Sequence, residues 1–224
     1  GDGKSFLSEM MQAVMGLDNV RIMNSKTLNS DFTGWVSGQC MTFIEELKLD
    51  GNRKYEVLNN LKPYISNSVV ESEKKGHDPQ VVMNTTNYFA FTNFKDSLPL
   101  TDKDRRYLVL FSQWQTARNI EKFIADNPNY YSSLYTDMQN NAGEILSWLT
   151  DHVIPQTFKQ IKRAPKTAAK MAMLELNKSD GYLLVEDAIH EFNCFDINDQ
   201  IVNITKLNKN ISLEWSKRPR SKTC

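Results

Sequence analysis

Gly1-Asp2-Gly3-Lys4-Ser5 opens the chain and is followed at once by a stretch of helical periodicity that ends at Gly16. These five residues are the second half of the phosphate-binding pattern G-x-x-x-x-G-K-[ST], in which a glycine-rich loop leads into a helix. Glycines let backbone N–H groups approach phosphate oxygens closely, and the helix directs its positive end at the same point. The stretch therefore predicts a nucleotide-binding loop in which Lys4 reaches the β- and γ-phosphates and the Ser5 hydroxyl binds Mg²⁺.

The N-terminal half of this pattern is not in the sequence. Its first glycine would lie about three residues before Gly1, and the strand that feeds such a loop would lie further upstream. We therefore expect the sequence to be a fragment of a longer protein.

Composition is that of a globular chain of 224 residues, 40% hydrophobic and 24% charged, with a formal net charge of zero. The charge is uneven, because the residues from Lys159 onward carry 12 Lys and Arg against 8 Asp and Glu. Three cysteines, Cys40, Cys194 and Cys224, lie far apart without metal-ligand spacing, which favours a reducing compartment. No run approaches the ~20 apolar residues of a membrane span, so we expect a cytoplasmic protein without a membrane partner.

Hydrophobic periodicity predicts helices alternating with strands over the first 110 or so residues, which is typical of an α/β layered sheet. Helices are predicted after Ser5, over Asn52–Leu61 with Pro63 ending it, from Ala117 to Thr150 with a break near Asn127-Pro128, and over Thr167–Leu176. Strands are predicted over Val20–Met23, Cys40–Ile44, Ser68–Glu73, Pro79–Asn84, Tyr88–Thr92 and Tyr107–Phe111.

These elements suggest three regions. Residues 1–115 form the predicted ATPase core, without its first strand, and residues 116–164 form a helical extension. Residues 165–224 form a small C-terminal module, of a size that suits a winged helix, with a basic tail.

Two consecutive carboxylates, Glu45 and Glu46, follow the apolar run Cys40–Ile44. In a nucleotide hydrolase, one carboxylate at such a strand end holds Mg²⁺ and the next polarises the attacking water. We assign Glu45 to the metal and Glu46 to the water. In isolation, the pair could also be a solvated strand end.

Two further groups have the residue types that phosphoryl transfer requires. Asn93 follows the strand predicted over Tyr88–Thr92 and could bind the γ-phosphate or the lytic water, or simply begin a turn. Arg105 and Arg106 could stabilise transition-state charge in a neighbouring subunit's site, or be surface arginines at a strand start.

A charged hairpin tip lies between the strands predicted over Ser68–Glu73 and Pro79–Asn84. Lys74, Lys75 and His77 make this tip cationic and suit it to a nucleic-acid backbone. Taken alone, the tip fits an ordinary solvated turn better.

The order of these motifs resembles the superfamily 3 helicases, and within them the helicase half of phage, plasmid and large-DNA-virus primase–helicases. The resemblance covers roughly residues 1–115. It is carried by Gly3-Lys4-Ser5, Phe43-Ile44-Glu45-Glu46, Glu73 to Asp78, Asn84 to Asn93 and Asp104-Arg105-Arg106.

The resemblance implies an AAA+-like P-loop ATPase core of three layers, with a mostly parallel sheet and a β-hairpin insertion. It also implies assembly into a ring, usually a hexamer, around single-stranded DNA, with ATP and Mg²⁺ bound between subunits. Lys4, Ser5, Glu45, Glu46 and Asn93 would come from one subunit, and Arg105 or Arg106 from the next. In such cores the strand before the phosphate loop lies centrally, next to the acid-pair strand, and an upstream primase domain is possible.

The sequence therefore predicts an ATP-dependent DNA helicase domain of a replicative primase–helicase, located in the host cytoplasm if a phage or plasmid encodes it. Two alternatives stay open. One is another ring-forming P-loop ATPase, and the other is an inactive P-loop protein that serves as a DNA-binding or scaffolding subunit.

Overall fold

A computed structural model describes residues 3–30, 32–47 and 53–178, and beyond them residues 185, 189, 195–196, 201–202 and 204–209. Gly1 and Asp2 of the predicted loop lie outside the described residues, as does most of the predicted C-terminal module. The chain divides into two compact units, Gly1–Leu174 and Glu175–Cys224. None of the described helices combines the length and the apolar character needed to cross a lipid bilayer.

The first unit alternates helices and strands, as the hydrophobic periodicity predicts. In chain order its described elements are α1 (Lys4–Met15), β1 (Val20–Asn24), β2 (Met41–Glu45), α2 (Arg53–Ser66), β3 (Val69–Ser72), β4 (Gln80–Met83), β5 (Asn87–Ala90), α3 (Ala117–Asp126), α4 (Tyr130–Asp151), α5 (Gln156–Lys159) and α6, which begins at Ala168 and ends at Leu176. Short 3₁₀ turns, Ser25–Asn29 and Gly34–Val36, lie between β1 and β2.

A parallel sheet of strand order β1-β2-β5 lies at the centre of this unit. The α/β class predicted from the sequence is therefore confirmed. The acid-pair strand β2 has β1 on one side and β5 on the other, so the expectation that an upstream strand lies next to it is wrong. Of the three described strands of this sheet, only β1 and β5 have an unpaired edge, on their outer sides, where a further strand could join.

The two faces of the sheet are buried against two separate sets of side chains. Phe43 packs with Met11 of α1 and with Val20, whereas its neighbour Ile44 belongs to a larger core on the opposite face. That larger core includes side chains of α2, the 3₁₀ turns and α6, such as Leu58, Trp35 and Met173. Because successive strand residues point to opposite faces, β2 is covered by helices on both sides.

The predicted hairpin is confirmed. β3 pairs antiparallel with β4 in the register Val69↔Met83 and Ser72↔Gln80. The His77 N–H donates to the Lys74 carbonyl at 3.0 Å, and Gly76 takes the positive φ of 78° that this tight turn requires. The stem is tied to the β1–β2 connection by the Thr33 hydroxyl, which accepts from the Glu73 N–H at 2.9 Å and donates to the Glu71 carbonyl at 3.4 Å.

The strand predicted over Tyr107–Phe111 is wrong, although its alternation of buried and exposed side chains is real. The segment is extended but lies beside α6 instead of another strand. The Thr167 hydroxyl donates to the Val109 carbonyl, and the Lys170 ammonium donates to the Tyr107 carbonyl at 3.0 Å. Side chains of α6 and of the residue just before it therefore satisfy carbonyls that would otherwise bond within a sheet.

Pro63 does not end α2, contrary to the sequence prediction. The helix continues through Pro63 to Ser66, and the Asn67 N–H donates to the Pro63 carbonyl at 2.8 Å. Tyr64 and Ile65 pack against the buried core of this unit. Their burial holds the last turn in place despite the backbone hydrogen bond that a proline removes.

In the second unit, β6 (Phe195–Asp196) pairs antiparallel with β7 (Ile201–Val202), and residues 204–209 are helical. The winged-helix assignment of this region stays a prediction.

Candidate active site

A cavity of about 460 Å³ lies where the N-terminus of α1 meets the carboxyl ends of β2 and β5. Open parallel sheets bind ligands in the crevice outside this edge. The lining brings together six residues that the sequence singled out from three separate segments: Gly3, Lys4, Ser5, Glu45, Glu46 and Asn93.

Lys4 spans the cavity from α1 to the end of β5. Its ammonium donates to the Asn93 side-chain oxygen at 2.8 Å. Gly3, the residue before the helix, has a φ of 81°, and it lines the cavity together with Lys4 and Ser5 of the first helical turn. An ammonium and a helix N-terminus together favour an anion at this point.

Asn93 is presented by a short hydroxyl-capped turn. The Phe94 N–H donates to the Thr92 hydroxyl at 3.0 Å, and that hydroxyl donates to the Phe94 carbonyl at 3.4 Å. The backbone at the end of β5 is thereby turned so that Asn93 lines the cavity beside Lys4.

Glu45 is oriented by Ser8, a fully buried residue that sequence reasoning missed. The Ser8 hydroxyl lies 2.9 Å from the Ser5 carbonyl and 3.4 Å from Glu45 Oε1. Ser8 follows Lys4 by four residues and so shares its helix face. That spacing is the sequence signal that could have placed Ser8 near the site.

Glu46 has a φ of 52°, the one positive value among the described non-glycine residues. In an uninterrupted strand its side chain would share the face of Ile44, yet it lines the same cavity as Glu45. The Ser25 hydroxyl donates to the Glu46 carbonyl at 3.1 Å and holds this left-handed turn. The strained backbone therefore lets two consecutive carboxylates share one cavity.

The residues present suit Mg²⁺. The Ser5 hydroxyl and the Glu45 carboxylate are hard oxygen donors, and Mg²⁺ uses one or two protein oxygens together with water and phosphate. Among the described residues, no cluster of three or more His, Cys, Asp or Glu side chains could hold a metal ion on its own. Both facts are compatible with a cation that is bound together with a nucleotide.

The opposite wall of the cavity is aromatic and was not predicted. Phe6 of α1 and Tyr131 and Tyr135 of α4 line it. The i, i+4 spacing of the two tyrosines puts them on one helix face. The sequence does not say which element that face meets, because this depends on the packing of α4 against α1.

Tyr135 is fixed from two sides. Its ring meets the ring of Phe6 edge-on at a centroid distance of 5.1 Å. The Tyr135 hydroxyl forms a hydrogen bond with the Glu9 carboxylate, and this bond is the main cause that raises the pKa of the hydroxyl. Burial raises the pKa as well, to a smaller extent. Phe6 and Glu9 thus bind α4 along one face of α1.

The two candidate arginines do not contribute to the described lining of the cavity in the same chain. The Arg106 guanidinium donates to the Ser66 hydroxyl at 2.7 Å, whereas the Arg105 side chain is exposed. The two arginines, which the sequence could not tell apart, therefore have different surroundings: Arg106 is hydrogen-bonded within the chain, and Arg105 is exposed.

The hairpin tip also lies apart from the cavity lining. Lys74, Lys75 and His77 are all exposed. A side chain at Gly34 would clash with Lys74, because a Cβ there would lie 2.7 Å from Lys74 Cγ. Gly34 therefore allows the stem to approach the β1–β2 connection closely.

Chemically, the cavity combines an ammonium, a helix N-terminus, two carboxylates and an amide. This set can bind a polyphosphate, hold a divalent cation against it and activate a water molecule.

The chain was compared with known families, curated proteins and solved structures. A family of unknown function (DUF5906) matches residues 1–106. None of the curated proteins matches. An apo structure of the C-terminal region of NrS-1 matches 94% of this chain with a TM-score of 0.62 at 16% identity. A second, the A form, matches 85% with a TM-score of 0.60 at 17% identity.

The two folds are related. The chain spans about half of the NrS-1 region, 51% in the first structure and 43% in the second. At 16–17% identity, the likeness shows the fold alone.

Proposed function

We propose that this chain is part of an ATP-dependent DNA helicase domain of a replicative primase–helicase, which hydrolyses ATP with Mg²⁺ to move on single-stranded DNA. The observation that carries the proposal is the convergence of Gly3–Ser5, Glu45–Glu46 and Asn93 on one cavity. The family resemblance of these motifs supplies the helicase assignment, and the related fold of the NrS-1 region supports the architecture.

Each residue has a distinct role in this proposal. The Lys4 ammonium would leave Asn93 and neutralise the β- and γ-phosphates, and Ser5 and Glu45 would hold Mg²⁺. Glu46 would accept a proton from the attacking water. Asn93 orients that water or the γ-phosphate. Mg²⁺, when bound, neutralises charge on the phosphate oxygens.

The decisive experiment measures ATP turnover by the full-length protein with and without single-stranded DNA. Stimulation by single-stranded DNA is expected of the helicase. Turnover that responds only to duplex DNA or to protein favours another ring-forming P-loop ATPase. If the folded protein binds no ATP, the result favours the other alternative, an inactive P-loop protein that serves as a DNA-binding or scaffolding subunit.

The hairpin tip provides the first prediction. The double variant Lys75→Ala/His77→Ala should keep most ATP turnover, because the tip lies outside the cavity lining. It should lose most unwinding, because it removes a lysine ammonium and an imidazole hydrogen-bonding group from the proposed DNA contact. Strand displacement of a forked duplex checks this. Lys122→Ala/Lys159→Ala removes two exposed lysines elsewhere in the chain and is the control. Equal unwinding by both double variants would refute the tip assignment.

A second prediction concerns the two arginines. Arg106 is held by Ser66 within its own chain, so Arg105 is the better candidate to reach a neighbouring subunit's ATP. Arg105→Ala should lower turnover by a factor on the order of 10³, and Arg106→Ala should lower it much less.

Mixed assemblies separate this trans role from a loss of folding. Arg105→Ala subunits retain a complete cavity, and Lys4→Ala subunits retain Arg105. Mixing the two should restore turnover above that of either variant alone. Mixtures that stay as inactive as the separate variants count against action between subunits.

A further inference from the structure

The aromatic wall of the cavity has no role in the phosphate chemistry proposed above. On α1, Lys4 and Ser8 face the strand ends, where Lys4 reaches Asn93 and Ser8 reaches Glu45. Phe6 and Glu9 face α4 instead, where both contact Tyr135. The charged and amide groups of the cavity therefore lie toward the sheet, beside the ring of Phe91, and its two tyrosine rings lie toward α4.

This polarity gives a bound triphosphate a direction. On the proposed function, on which this inference rests, the γ-phosphate lies at Asn93 and Glu46, beside the strand ends. The other end of the nucleotide must then lead away from the sheet, past Gly3 and Phe6, toward α4. A cavity of about 460 Å³ falls in the usual range of about 300–1,000 Å³ for pockets that hold small ligands.

Tyr131 lies at the place where the nucleotide leaves the loop. Its Cε1 is 3.7 Å from the position that a Cβ would occupy at Gly3, and its ring is half-buried. A row of rings supports it: Tyr130 meets Tyr131 edge-on at 5.3 Å, and Phe123 meets Tyr130 at 4.9 Å. A ring held in this way loses little freedom when a ligand binds.

We propose that Tyr131 forms a nucleoside subsite and that the nucleobase stacks on its ring, with Tyr130 as the ring that supports it. Stacking between a base and an aromatic ring tolerates any base, because every base has a π face. The substrate class is therefore a nucleoside triphosphate, and a bare polyphosphate would use only half of the cavity.

Equilibrium binding of two probes, a non-hydrolysable ATP analogue and inorganic tripolyphosphate, tests this on the full-length protein with Mg²⁺. Tyr131→Ala should weaken binding of the ATP analogue roughly tenfold and leave binding of tripolyphosphate unchanged. Tyr131→Phe keeps the ring and should bind both probes like the unmodified protein. Trp148→Ala removes a ring that is 65% exposed on the same helix, outside the lining, and is the matched control.

The outcomes of this experiment test the nucleoside subsite and the proposed function separately. If the unmodified protein binds tripolyphosphate as tightly as the ATP analogue, the nucleoside subsite is refuted and the phosphate site stands. Equal weakening of both probes by Tyr131→Ala also refutes it, because Tyr131 then supports only the loop at Gly3. If the unmodified protein binds neither probe, the proposed function fails first, and the subsite fails with it.

Discussion

Glu46→Gln is expected to lower ATP turnover by a factor of about 10²–10⁴ while ATP still binds. The amide keeps the size and shape of the carboxylate but cannot accept a proton from the attacking water, and general base catalysis contributes a factor of this size. Lys4→Ala should abolish turnover in a different way, by weakening ATP binding itself, because the ammonium is the one cation in the described lining of the cavity. Turnover and binding of the ATP analogue, measured in parallel, distinguish the two variants.

A matched control for Glu46→Gln is Glu71→Gln, which changes an exposed carboxylate of the hairpin stem. It should leave turnover unchanged. Turnover by Glu46→Gln at the rate of the unmodified protein would remove Glu46 from the chemistry and leave Glu45 as the remaining carboxylate of the cavity.

Lys170→Ala is expected to destabilise the first unit by about 3–5 kcal/mol, the loss typical when one partner of a buried ion pair is removed. The Lys170 side chain is fully buried, with its ammonium 3.6 Å from the Asp104 carboxylate and 3.1 Å from the Asp104 carbonyl. Asp104 in turn accepts the N–H groups of Arg106 and Tyr107 at 2.9 and 3.1 Å. Loss of the lysine leaves a carboxylate and two carbonyls without their cation.

Thermal unfolding checks this prediction. A loss of 3 kcal/mol should lower the midpoint by about 6–12 °C for a unit of this size. Lys166→Ala is a close control, because Lys166 also pairs with an aspartate of the same segment, Asp102, but both side chains are largely exposed. Exposed pairs contribute little, so its midpoint should barely change. Equal shifts in the two variants would show that the burial of Lys170 is not what matters.

The sequence predicted those parts of the fold that local pattern determines. The hairpin is the clearest case, because two β-rich runs flank a turn whose glycine, Gly76, has the positive φ that the turn requires. The alternation over residues 107–111 correctly indicated an extended chain. The alternation could not show which element this segment lies beside, because a side chain of α6 can satisfy its backbone carbonyls as well as a neighbouring strand can.

The candidate site divides in the same way. Gly3 to Ser5, the acid pair and Asn93, which line the cavity, could be singled out from the sequence because each follows a recognisable local motif. Tyr131 and Tyr135 could not, because their place in the cavity depends on how α1 packs against α4. Ser8 lies outside that lining, and only its spacing of four residues from Lys4 could have indicated that it is near the site. The central position of β2 was also missed, since strand order arises from contacts between segments far apart in the chain.

The residue at position 46 affects both the stability of the fold and, on the proposed function, the rate of ATP hydrolysis. A left-handed backbone is relaxed for glycine and strained by about 1–3 kcal/mol for most other residues. The chain nevertheless carries a glutamate at a φ of 52°. On the proposed function, selection for a stable fold alone would favour glycine here, and only selection for turnover would retain the carboxylate. In a descendant that kept the fold but lost hydrolysis, the glutamate at position 46 would then be replaced early.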